Sequence, residues 1–138
     1  AFPSYRKYMY EMCDMATVLE EKESGVIVGR AGVEPKIWNH NSSVVELGYL
    51  IDEKHRGKGF AYEACRGILE EAKKRGAVYL YCRIRSANLA SKKLARKLGF
   101  PGSTTAWRMT ARIWRFTDIP AVNRKTALWL KNLTGRYL

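Results

Sequence analysis

The spacing of apolar positions changes several times along the chain, and each change predicts an element. "ATVLEEK" reads as a strand. "GVIVGRAGVEP" reads as a second, with Gly25 in the turn between them. "HNSS" reads as a loop, and "VVELGYLI", Val44 to Ile51, is β-branched and aromatic enough for a third strand. From Phe60 to Arg75 the period becomes helical: Ala61, Ala64, Cys65, Ile68, Leu69 and Ala72 share a face. Gly76 ends that helix, with Lys73, Lys74 and Arg75 in its last turn, where the dipole favours cations.

"AVYLYCRI" has the continuous apolar character of a buried strand. "SANLASKKLARKLGF" turns Leu94, Ala95 and Leu98 inward as a second helix, capped by Ser86 or Asn88 and stopped by Gly99. Pro3 to Met12 reads as a short helix, with Tyr5, Tyr8, Met9 and Met12 on one side. In the tail, "TTAWRMTARIWRF" suits a long strand or a hairpin. "IPAVNRKTALWLKNL" suits an amphipathic helix with Val122, Leu130 and Leu133 inward. The β-β-β-α-β-α order predicts an α+β fold, a mixed sheet with helices packed on its faces. All 138 residues fit one domain, with a core at about 17–100 and an atypical tail at 101–138.

Composition narrows the function classes. No window approaches the roughly 18 apolar residues of a membrane span, so no membrane role is expected. "AFPSYRKYMYEMCD" lacks the order of a signal peptide, and the chain begins at Ala1 rather than Met. Three cysteines, Cys13, Cys65 and Cys82, are an odd number without metal spacing and suit reduced thiols in the cytoplasm. With only His40 and His55 besides, no metal site is expected. The formal net charge is +12, which favours a phosphate-rich ligand or another polyanion. Seven Lys/Arg and one Asp between Pro101 and Leu138 put +6 of it in the tail.

The chemistry is concentrated where the third strand meets the first helix, at "HRGKGFAYEA". A basic, glycine-rich turn feeding a helix makes an anion site, because the first helical amides lack intrahelical partners. Arg56 and Lys58 would add charge-assisted contacts. The P-loop pattern is absent, and Tyr62 occupies the third glycine of the dinucleotide fingerprint.

"RGKGFA", Arg56 to Ala61, matches [QR]-x-x-G-x-[GA] and resembles the pyrophosphate loop of the GNAT superfamily of acyl-CoA-dependent N-acetyltransferases. "NLASKKLARKLGF" resembles that superfamily's second CoA-binding segment, and "VVELGYLI" the strand before the loop. The resemblance runs from about Thr17 to Phe100 and is nearest the branch with ribosomal-protein N-terminal acetyltransferases. It implies an acyl-CoA N-acyltransferase fold with a mostly antiparallel sheet, shortened at its start, with acetyl-CoA as cosubstrate and no metal.

By the same resemblance, amides of Gly57, Lys58, Gly59, Phe60, Ala61 and Tyr62 would hold the CoA pyrophosphate beside Arg56. The edge of Tyr49, Leu50 and Ile51 would pair with the pantetheine arm, and an amide there would polarise the thioester carbonyl. Asn88 and Ser91 would reach the same arm. Glu46 would take the proton of the attacking amine, and Ser91 or a water would return one to the thiolate. The family's tyrosine acid is replaced by Ala95. A glutamate used by some N-terminal acetyltransferases is replaced by Arg83.

The implied reaction is direct acetyl transfer to a primary amine, on a small molecule, a peptide N-terminus or a lysine. Two tail strands carrying Trp107, Trp114 and Trp129 would close over the substrate. Two other classes fit parts of the sequence. One is a catalytically silent acyl-CoA-binding or regulatory domain, suggested by Ala95, Arg83 and the short start. The other is a nucleic-acid binder using the basic, Trp-rich tail, for which no recognition motif is present.

Overall fold

The structure, a computed structural model, describes residues 15–38, 41–85, 87–99, 109–115 and 127–132, with backbone alone for 36–38, 41–44, 109–115 and 132. Among the described residues, six strands form one sheet: β1 (Ala16–Glu21), β2 (Ile27–Trp38), β3 (Asn41–Ile51), β4 (Tyr79–Arg85), β5 (Met109–Arg115) and β6 (Leu128–Asn132). Their order across the sheet is β5-β4-β3-β2-β1-β6. A 3-10 turn (Glu53–His55) leads from β3 into helix α1 (Phe60–Lys74), and helix α2 (Leu89–Lys97) follows β4. Among the described residues, only the β3/β4 pair is parallel. The expected β-β-β-α-β-α order and mixed sheet are therefore present.

Alternation sorts the side chains. On β3, Val45 and Ile51 are buried and Leu47 and Tyr49 pack against the core, while Glu46, Gly48 and Leu50 face the other way. Val33 and Ala31 of β2, Leu19 of β1 and Leu80 of β4 fill the same side. Over them α1 lays Phe60, Ala64, Cys65, Ile68, Leu69 and Ala72, nearly the face the spacing predicts; Ala61 is half-buried. Gly76 (φ 97°) and Gly99 (φ 98°) follow the two helices. Pro35 sits in β2 without harm. It faces Val45 on β3, past the end of β1, so its missing N–H falls on an edge that β1 does not reach.

Two sequence-based expectations change. Asn41 to Ser43 belong to β3, not to a loop. The tail segment expected to be an amphipathic helix contributes β6 instead: Leu128 and Leu130 are buried and Trp129 is 44% exposed. Two buried residues separated by an exposed one have period two, which a helical face cannot supply. β6 pairs antiparallel with β1, and the Ala127 N–H donates to Glu63 Oε1 of α1 at 2.5 Å. "TTAWRMTARIWRF" contributes β5, antiparallel to β4. The predicted helix at Pro3–Met12, Trp107, Val122 and Leu133 lie outside the described residues.

Candidate active site

β3 and β4 pair only from Val44↔Tyr79 to Glu46↔Tyr81 and then part. Leu47 to Ile51 thus keep β2 on one side and, among the described residues, have no ladder on the other. The Asp52 N–H donates to Val28 O at 2.8 Å, so alternate residues below it, Leu50 and Gly48, also turn their main chain to β2. Leu47, Tyr49 and Ile51 turn theirs into the gap. This narrows the expected pantetheine edge: Tyr49 and Ile51 face the gap, and Leu50 pairs with Arg30.

Two clefts meet at this gap from opposite faces of the sheet. The helix-side cleft, about 210 Å³, is lined by Tyr49, Cys82, Asn88, Ser91, Leu94 and Ala95 among others. The open-face cleft, about 380 Å³, is lined by Ala16, Gly32 and Gly48, with Arg30, Glu34, Glu46 and Arg83. Both share Leu47, Gly48, Tyr49 and Arg83. The register puts Ala16, Gly32 and Gly48 in one row across three strands; the main chain of Met15 and Ala16 lies against Gly32, and Gly48 leaves open floor in the cleft. That row was readable only once "GRAG" and "ELGY" were set in register.

The loop after β3 leaves its amides open. Gly57 (φ 77°) and Gly59 (φ 80°) adopt the left-handed conformation that other residues enter at a cost of about 1–2 kcal/mol. A Cβ at either would meet nothing within 4 Å, so the approach is clear. Gly59 is the N-cap of α1 and supplies no capping side chain. The main-chain N–H of Glu63 reaches Gly59 O, leaving the preceding first-turn amides for an outside acceptor. These features fit a diphosphate. Arg56, Gly57, Lys58 and Gly59 are exposed, Phe60 is buried, and Ala61 and Tyr62 are half-buried. Arg56 braces the loop, its Nε donating to Ile51 O at 3.1 Å. Lys97 of α2 stands 4.4 Å over the Tyr62 ring and ties the two helices together.

At the gap, Tyr49 Oη and Ser91 Oγ are 2.8 Å apart. Asn88 caps α2 by accepting from the Ser91 N–H at 3.0 Å, which fixes the serine in the first helical turn. Burial raises the Tyr49 phenol above its ordinary 10.0, and the Ser91 hydrogen bond partly offsets the rise. Burial also pushes Cys65 up to about 12 and Cys82 up to about 11, so both remain thiols.

On the open face, Glu46 accepts from Arg83 Nε at 3.1 Å. The Glu46 side chain is 14% exposed and that of Arg83 55%. Glu34 lies directly opposite Glu46 across the β2/β3 ladder. Arg83 entered the sequence reading only as a departure from a pattern; its pairing with Glu46 depends on β3 and β4 lying parallel. Of the two tail strands expected over the substrate, β5 adjoins β4, whereas β6 lies at the far edge beyond β1. There Lys22 sits 4.0 Å over the Trp129 ring. Among the described residues, no group of His, Cys, Asp and Glu could hold a metal ion, and no helix is long and apolar enough to cross a membrane.

The family model of the Acetyltransferase (GNAT) domain matches residues 4–101, well over half of the chain. The chain belongs to the GNAT acetyltransferase family. Its GNAT region begins earlier than the loop and helix motifs alone indicated, at residue 4 rather than about 17. A curated relative, the uncharacterized protein YkkB of Bacillus subtilis, is 33% identical over 89 residues, 64% of this chain and 51% of that protein. The match thus spans about half the length of that relative.

Solved GNAT structures share the fold. The putative acetyltransferase yncA of Salmonella typhimurium, solved with its cofactor acetyl-CoA, superposes with a TM-score of 0.60 at 23% identity. That likeness covers 74% of this chain and 65% of that one. A ribosomal-protein-alanine N-acetyltransferase from Brucella melitensis gives a TM-score of 0.57 at 22% identity, over 70% of this chain and 66% of that one.

Proposed function

We propose that this GNAT domain transfers an acetyl group from acetyl-CoA to a primary amine, with both substrates bound at once. The observation that carries this reading is the parting of β3 from β4 beside the glycine loop, with one cleft on each face of the sheet meeting at the gap. In this reading the donor enters on the helix side. Its diphosphate lies on the amides between Gly57 and Tyr62, near Lys58. Its pantetheine arm runs along Tyr49 and Ile51 toward Asn88 and Ser91.

Acetyl-CoA supplies an activated acyl group. An amide on the free edge of β3 polarises its carbonyl, a contribution of about 3 kcal/mol for one well-aimed donor. The acceptor approaches over Gly48, which stands open beside Glu46. Glu46 takes the proton of the attacking nitrogen, directly or through water, and Arg83 holds its carboxylate in place. Ser91 returns a proton to the departing sulfur. Holding both reactants in line across a single gap accounts for most of the rate.

The test is an assay of free-thiol release from acetyl-CoA with a panel of amines: peptide N-termini, lysine side chains, aminoglycosides and polyamines. Acetylated product is verified by mass. The reading requires turnover with at least one class. The engagement of Glu46 by Arg83 favours a second reading, an acyl-CoA-binding domain without turnover. Saturable CoA binding with no thiol release on any acceptor selects it.

A further inference from the structure

We propose that Tyr49 and Ser91 form a two-hydroxyl relay that returns a proton to the departing thiolate, Ser91 touching the sulfur and Tyr49 standing behind it as a positioning residue. The inference rests on the acetyltransferase reading above and deepens it. Ala95 lines the helix-side cleft where a tyrosine acid is expected from the family pattern, so that group has to come from elsewhere. A serine hydroxyl alone is a poor acid, and losing its proton is far easier when a second donor replaces it at once.

Tyr49 meets that need. Its Oη lies 2.8 Å from Ser91 Oγ, and both residues line the helix-side cleft. Asn88 fixes the serine backbone through its cap. The phenol is half-buried against the core, which keeps it protonated at neutral pH. As the C–S bond breaks, sulfur takes the Ser91 hydroxyl proton and Ser91 takes the Tyr49 proton. The tyrosinate then recovers one from water, which balances the proton released by the amine on the other face. A thiol is the stronger acid of the two, so the transfer is uphill, by a step small beside the barrier of the chemical step.

The test uses Tyr49→Phe, Ser91→Ala and the double variant, each checked for folding by its thermal midpoint and for CoA affinity by calorimetry. Because both residues line the path of the pantetheine arm, kcat is compared at saturating acetyl-CoA, which separates any weakening of donor binding from the chemical step. With acetyl-CoA, kcat should fall by about 10- to 100-fold in Tyr49→Phe. The double variant should lose no more than the worse single one, since both belong to one path.

Acetyl-seleno-CoA provides a second readout. Its selenolate leaves without needing a proton, so the Tyr49→Phe defect should shrink to about 3-fold or less. Undiminished turnover in Tyr49→Phe, additive losses, or equal defects with both donors would overturn the relay. Should Tyr49→Phe fail to fold, a proton inventory of kcat for the parent in H2O/D2O mixtures decides: a curved, two-proton dependence is expected, and a linear, one-proton dependence overturns the relay. A parent protein that binds no CoA and releases no thiol fails the underlying reading instead.

Discussion

Glu46, Gly48 and Gly59 each make a separable contribution. Gln at position 46 keeps the shape of the side chain and its hydrogen bond to Arg83 but cannot accept the amine proton. Glu46→Gln should therefore lower kcat by about 100-fold or more, with CoA affinity and thermal midpoint nearly unchanged. Gly48 has an ordinary backbone and open space where a Cβ would go. Gly48→Leu should fold within about 0.5 kcal/mol of the parent, because its side chain enters a cleft rather than the core. It should raise KM for the amine far more than it weakens CoA binding, which steady-state kinetics and calorimetry can separate. Gly59 is different, since its φ of 80° excludes a side chain at low cost. Gly59→Ala should cost about 1–2 kcal/mol of stability and weaken CoA binding as the loop refolds around the strain.

The strand β6 carries the clearest contest between periodicities. "ALWLKNL" follows a polar stretch and can be written on a helical wheel, but Leu128 and Leu130 are both buried with Trp129 between them exposed. Leu130→Ala should cost about 2–5 kcal/mol in a urea titration, whereas Trp129→Gln should cost less than about 1 kcal/mol. Comparable losses at both positions would contradict the strand. The other elements were legible because their period is long and their ends are marked. α1 carries a clear apolar face and stops at Gly76; α2 carries an Asn cap and stops at Gly99. The loop glycines were legible because their chemistry is local. The Glu46–Arg83 pair and the row of Ala16, Gly32 and Gly48 were not, because each joins residues from different strands and depends on register. β6 misled because a short segment completing a sheet edge takes its period from its neighbours.

The whole molecule carries a formal net charge of +12, so donor binding has an electrostatic component that salt weakens. It also carries an alkaline liability. Cys65 and Cys82, with ordinary values of 9.0, are raised by burial to about 12 and about 11. The unfolded chain therefore loses these protons first. Their contribution to stability is complete below about pH 9 and is lost as pH rises toward 11 and beyond. Thermal midpoints measured from pH 8 to 11 should fall, and Cys82→Ala should flatten part of the decline.

All of the proposed chemistry depends on the loop after β3 gripping a diphosphate and aiming the attached thioester into the gap beside β4. Isothermal titration of the protein with pure coenzyme A at low ionic strength tests that grip most directly. Saturable heat at one site per chain, weakened by salt and by Gly59→Ala, is the result expected. Absence of binding heat from the folded protein across the temperature range would contradict it.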